Sequence, residues 1–306
     1  MKKTGILFYL FLLVPPCFSQ FVHKVSSPVD WVNPLMGTDS KVSLSNGNTY
    51  PAIGLPWGMN LWTPQTGKMG DGWQYQYSAD KIRGFKQTHQ PSPWMNDYGQ
   101  FSIMPVVGNH FNQDERASWF SHKSETATPY YYSVYLADHD ITAEISPTER
   151  AAIFRFTFPR SDSSFIVVDA FNRGSYIKII PAEKKIIGYS TRYSRGKMPG
   201  FKNYFVLYFD KPFTVSHTWH GNNLATDTLE YNGEHTGAIA GFSTKKGEQV
   251  IIRVASSFIS FDQAEINLKE IGKDNFETVK SKAKATWNNT LNKLQPEGGS
   301  TEQMRT

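Results

Sequence analysis

The sequence predicts a mainly β fold, an antiparallel β-sandwich followed by C-terminal linker helices, and three features carry that reading. Short apolar runs recur between residues 151 and 255, and turn signals with no helix-length crossover separate them. After Ser257 the apolar period then lengthens from two to between three and four.

In chain order, an export signal comes first. Lys2 and Lys3 precede an apolar run from Ile6 to Val14, and Cys17-Phe18-Ser19 suits cleavage before Gln20, so residues 1–19 are expected to be removed. That run is too short to span a bilayer, and Pro15-Pro16 is a poor approach to a lipid anchor at Cys17. Cys17 is the sole cysteine, so a chain exported without it is held by its core alone. From Trp31 to Gly108 the density of Gly, Pro, Asn and aromatics predicts short strands and elaborate loops.

Strands are predicted at Ala151 to Phe158, Phe165 to Ala170, Tyr204 to Phe209, Gly237 to Phe242 and Val250 to Ala255. Pro159-Arg160-Ser161-Asp162, Asp210-Lys211-Pro212, Asn232-Gly233 and Lys246-Gly247 supply the turns. The sandwich is thus assigned to residues 20–258 and the helices to 259–306. Ser260 reads as an N-cap, with Ala264, Leu268 and Ile271 on one face. Phe276, Val279, Ala283, Trp287, Leu291 and Leu294 mark a second helix. Its stripe predicts either aggregation or a partner chain. Beyond a break at Gln295 to Gly299, Ser300 and Gln303 have capping-box spacing. The expectation is a third helix, and so the front piece of a longer protein; a frayed polar tail is the alternative.

The 32 basic and 27 acidic residues give a formal charge of +5, which falls to +3 without Lys2 and Lys3. With no long basic run, nucleic acid is not expected as a partner. Aromatic content of 14% is high, and serves either sugar stacking or a sandwich core.

The stretch from Phe85 to Gly99 concentrates chemistry. Asp97 and Asn96 can pair with hydroxyls, His89 can donate or accept, and Trp94 offers a stacking face, while Pro91 and Pro93 stiffen the loop. The same residues also read as a turn with Trp94 and Tyr98 as core plugs, and composition leaves both readings open. Glycines at Asn33 to Thr38 and at Pro56-Trp57-Gly58-Met59 permit close backbone approach. His217 and His220 have a metal-like interval, but on a strand end positions three apart face opposite ways. Asp138-His139-Asp140 reads as a solvated turn rather than a relay. Asn288-Asn289-Thr290 fits a glycosylation acceptor but lies in a predicted helix.

Together Asn33 to Thr38, Pro56 to Met59, Ile82 to His89 and Asp97-Tyr98-Gly99 with Ile103-Met104-Pro105 resemble the N-terminal domain of glycoside hydrolase family 92, the calcium-dependent exo-α-mannosidases. Arg253 to Ser260, Ala264 to Leu268 and Ala285 to Asn288 resemble the end of that domain and its linker helices, so the resemblance runs from about residue 29 to the C-terminus. It implies a galactose-mutarotase-like super-sandwich joined to an (α/α)₆ barrel, with the active site between them. It also implies inversion, with a glutamic acid protonating the leaving oxygen, an aspartate pair activating water and calcium binding mannose hydroxyls. Those carboxylates and most calcium contacts belong to the barrel. No catalytic or metal-ligating residue is therefore assigned to this chain, and calcium is expected in the complete enzyme rather than in this chain alone.

The resemblance makes Thr88, His89, Trp94, Asn96 and Asp97 candidate substrate contacts, with Trp57, Gly58 and Trp73 as wall residues. The implied partners are a mannose-containing glycan from N-glycan breakdown and a catalytic barrel on the same or a separate chain, in the periplasm or at the surface of a bacterium. Gln90 to Asn96 departs from the commoner Leu-Ser-Gly version, which leaves linkage preference open. A free-standing carbohydrate-binding protein and a structural remnant are the alternatives.

Overall fold

The structure is a computed structural model that describes residues 27–39, 49–68, 74–89, 97–193, 196–295, 300 and 303. Residues 1–19 and the candidates Trp73, Trp94 and Asn96 lie outside the described residues.

Among the described residues, two large antiparallel sheets form the sandwich. One has seven strands in the order Leu61–Gln65, Gly84–Thr88, Ser102–Val107, Ser161–Asp169, Thr236–Thr244, Val215–His220 and Asn223–Ala225. The other has nine, in the order Glu230–Gly233, Ser175–Ile180, Lys185–Ser190, Asn203–Phe209, Glu248–Ser257, Ala151–Phe158, Ile141–Pro147, Tyr131–Leu136 and Thr126–Thr128. Neighbouring strands within each sheet run antiparallel.

Side-chain alternation sorts each strand between two environments. From Ala151–Phe158, residues Ala152, Phe154, Phe156 and Phe158 enter the core between the sheets. Ala151 and Ile153 point the other way, toward Ala264, Ile271, Phe276 and Val279 of the C-terminal segment. Burial on both faces explains why this strand is a continuous apolar run in the sequence. Between the buried positions, Arg155 leaves the sheet to bind Glu144 at 2.5 Å and Glu277 at 2.8 Å.

Two helices cover the outer face of the nine-stranded sheet. Helix α1 (Phe261–Leu268) starts where the Ser260 hydroxyl accepts from the Gln263 N–H at 3.0 Å. Helix α2 (Phe276–Leu291) is capped by Asn275, which accepts from the Thr278 N–H at 2.9 Å. The apolar stripe of α2 is not an open seam, contrary to the expectation from its sequence. Phe276, Val279 and Ala283 are buried on this chain's own sheet and N-terminal turn, and Trp287 Nε1 donates to the Gly54 carbonyl at 2.8 Å. Trp287→Phe keeps the ring and loses that bond, so urea denaturation should show a loss of about 1 kcal/mol. The Asn288 carboxamide is also occupied, accepting from the Val29 N–H at 3.1 Å. Beyond α2 the capping box forms, with Ser300 N–H donating to Gln303 Oε1 at 2.8 Å and Gln303 N–H to Ser300 Oγ at 3.3 Å. No helix among the described residues is long and apolar enough to cross a membrane.

Candidate functional site

The strand Gly84–Thr88 ends at His89 and so carries that residue to one end of the sandwich. Asp97 then closes the loop. Its Oδ1 accepts the backbone N–H groups of His89 at 3.1 Å and Tyr98 at 2.8 Å, joining the two ends of the segment between them. The His89 ring stacks on Tyr98, with centroids 5.1 Å apart, and tilts against Phe258 at the same separation. Tyr98, Phe201, Phe258 and the part-exposed Tyr193 complete an aromatic cluster.

His89 Nδ1 lies 2.9 Å from the Tyr98 carbonyl oxygen. A carbonyl only accepts, so Nδ1 carries the proton and, in the neutral ring, Nε2 is an acceptor. Nε2 is buried without a hydrogen-bond partner, and so is Asp97 Oδ2. Burial pushes the Asp97 carboxyl up, but the hydrogen bond and charge of His89, with Lys86 behind them, outweigh it and hold Asp97 below its ordinary value. It is therefore an ionised acceptor. Two buried polar atoms without partners call for a ligand: Asp97 Oδ2 needs a donor, and His89 Nε2 needs a donor when the ring is neutral and an acceptor when it is charged; a hydroxyl can serve as either.

The remaining candidates separate. Thr88 is wholly buried, and its hydroxyl accepts from Gln74 Nε2 at 2.9 Å. Trp57 is 95% exposed and has a φ of 66°, in the left-handed region that bulky residues rarely adopt. Gly58 follows in a tight turn where its N–H reaches the Leu55 carbonyl at 3.0 Å, and an added Cβ would stand 3.2 Å from that oxygen. A buried polar chain connects this turn to the loop: Asn60 binds Ser256, Ser256 binds Gln87, and Gln87 binds Asn203. Asn203 Nδ2 then donates to the Gly99 carbonyl at 2.6 Å.

Asn203 is a site residue that the sequence reading missed, since 104 residues separate it from Gly99. Gly99 has a φ of 62°, and an added Cβ would lie 2.6 Å from Asn203 Cβ. Gly99→Ala is expected to destabilise the chain by about 1–3 kcal/mol and to disorder the His89 ring, read by thermal unfolding and by its imidazole NMR resonances.

Three other motifs resolve structurally. His217 and His220 sit three apart on the strand Val215–His220, hence on opposite faces. Asp138-His139-Asp140 is a turn with both aspartates exposed, as expected, but the His139 side chain faces inward. It is buried, its Nδ1 accepting from the Val107 N–H at 3.3 Å and its Nε2 facing the Arg116 carbonyl at 3.0 Å; burial lowers its pKa and keeps the ring neutral. Among the described residues, no group of three or more His, Cys, Asp or Glu side chains is placed to hold a metal ion.

Comparison with known proteins gives these features a context. The model of the glycosyl hydrolase family 92 N-terminal domain matches residues 31–257. A solved family GH92 inverting mannosidase from Bacteroides thetaiotaomicron is 45% identical with a TM-score of 0.87, over 92% of this chain and 38% of its own. A family GH92 α-mannosidase from the same organism, solved in complex with mannoimidazole, is 30% identical with a TM-score of 0.79, over 87% of this chain and 37% of its own. An uncharacterized secreted glycosidase of Arthroderma benhamiae is 24% identical over 141 residues, 44% of this chain and 18% of its own. The chain thus spans less than two fifths of the length of these relatives.

Proposed function

Because the chain belongs to the glycosyl hydrolase family 92 N-terminal domain family, we propose that it is the sugar-recognising sandwich of an exported α-mannosidase acting on mannose-containing glycans. The catalytic acid and base in this reading come from a barrel domain outside the described residues, on the same or a separate chain. The greater length of the mannosidases it resembles supports that division. Calcium belongs to the assembled enzyme, with its ligands outside the described side chains. The secreted relative supports export, to the periplasm or the cell surface.

The observation that carries the recognition role is the pair of buried, unpartnered polar atoms, His89 Nε2 and Asp97 Oδ2. His89 and Asp97 orient hydroxyls of the terminal mannose, Thr88 positions the strand end from within, and Trp57 and Gly58 belong to the wall. Trp73, Trp94 and Asn96 are further substrate contacts in this reading. Titration of the whole chain with methyl α-mannoside and α-mannobioses tests this. Binding that weakens at least about tenfold in His89→Gln supports the loop as a recognition element, since one charge-assisted or well-buried hydrogen bond is worth about that factor. Binding unchanged in that variant would leave the loop as a turn.

The covered stripe of α2 supports a second reading, a free-standing carbohydrate-binding protein. Adding a family barrel domain in trans separates the two, because only the first reading expects mannose release from the mixture.

A further inference from the structure

A cavity of about 530 Å³ is lined by residues of the seven-stranded sheet and its connecting segments, none of them in the His89 loop, and no role in the mannosidase reading accounts for it. Its volume is within the range of about 300–1,000 Å³ common for small-molecule sites. The segment Asn112 to Glu115 forms one wall. Trp219, Asn222 and His235 form the other, and Asp169 lies at the base.

That base is built rather than incidental. Asp169 is buried and ties both walls together, accepting from Arg116 Nη2 at 2.8 Å, from the Phe171 N–H at 2.9 Å and pairing with His235 Nε2 at 2.8 Å. Arg116 is itself fixed, its Nε donating to the Arg83 carbonyl at 2.9 Å and its Nη1 to the Phe111 carbonyl at 3.0 Å. His235 stands edge-on to Trp219 with centroids 4.8 Å apart. Trp219 is 1% exposed, and Gly237 leaves room for it, since a Cβ there would lie 2.1 Å from Cε2 of the indole.

The indole N–H of Trp219 is buried without a hydrogen-bond partner. A buried indole N–H ordinarily finds an acceptor, so one that borders a polar cavity calls for an acceptor brought by a ligand. Charge then narrows the ligand. Asp114 is 3.6 Å from both Lys68 Nζ and Arg83 Nε, and Asp169 is paired with Arg116. Two of the three lining carboxylates, Asp114 and Asp169, are thus paired within the protein, and the third, Glu115, is exposed. With its buried carboxylate neutralised and carboxamides, an imidazole and an indole N–H as the remaining polar groups, the lining suits a neutral ligand rich in both donors and acceptors.

We infer that this cavity is a second saccharide site, taking a neutral pyranoside whose oxygen accepts from Trp219. The inference is independent of the His89 loop. The test is titration of the whole chain with methyl pyranosides of glucose, galactose and N-acetylglucosamine, which leave out the mannoside assigned to the His89 loop, by saturation-transfer NMR and calorimetry, beside spermidine and citrate as charged probes. At least one pyranoside should bind. Trp219→Phe, which keeps an aromatic ring but lacks the N–H, and Asn222→Ala, at an exposed turn, should each weaken binding about five- to tenfold while His89→Gln leaves it unchanged. Asn222→Ala decides the matter if Trp219→Phe fails to fold. The proposal is overturned if no pyranoside binds, if both variants bind as the parent does, if only a charged probe is taken up, or if His89→Gln alone abolishes binding, which would assign the ligand to the loop.

Discussion

Asp169→Ala is expected to lower the unfolding free energy by about 3–5 kcal/mol, because it strands the buried Arg116 guanidinium. Urea denaturation should show the midpoint falling with little change in slope. Burial pushes the Asp169 carboxyl up, but Arg116 and His235 outweigh that and hold it well below the usual carboxylate range. A depressed folded-state pKa fixes the sign: the contribution is fully present above the unfolded value of about 3.9 and is lost as pH falls through the folded value. The stability difference between parent and variant should therefore be flat above about pH 4 and shrink only in stronger acid. A difference that instead shrank between pH 5 and 8 would contradict this assignment to the Asp169 carboxylate.

Asp97→Ala is the second large effect expected. It strands the N–H groups of His89 and Tyr98, each worth about 1–3 kcal/mol when left unpaired, so a loss of about 2–4 kcal/mol should accompany loss of α-mannoside binding. Asp97→Asn separates scaffold from recognition. It keeps an oxygen for the two N–H groups and removes the charge, so thermal unfolding should change little while mannoside affinity falls about tenfold. Undiminished affinity in Asp97→Asn would reduce the loop to the turn that its composition also permits.

Much of the sandwich was legible where both faces of a strand are covered. Ala151–Phe158 and the Val250 to Ala255 part of Glu248–Ser257 are apolar apart from Arg155, Thr157 and Arg253, because the opposite sheet takes one side and the helices the other. Strands buried on one side only, such as Tyr131–Leu136 and Ser175–Ile180, carry a weaker alternating signal and escaped notice. Ser260 was readable as a cap because the interaction is three residues long. The covering of α2 was not, since an apolar stripe does not name the surface it meets.

The same division of range applies to the candidate site. His89 and Asp97 are eight residues apart, and their pairing is local. Asn203, Phe201 and Phe258 reach the loop only through sheet order, and their residue types carry no signal of it. The Asp169 centre joins residues 53 and 66 positions apart, so its parts read in sequence as an unremarkable arginine, aspartate and histidine.

The proposed function is recognition of an α-mannoside, with hydrolysis supplied from outside the described residues. Its sharpest test is mannose release from a mixed α-mannoside panel, measured on the purified folded chain with calcium and then with a chelator. No release in either condition, with binding retained, is expected; calcium-dependent release abolished by the chelator would overturn the proposal.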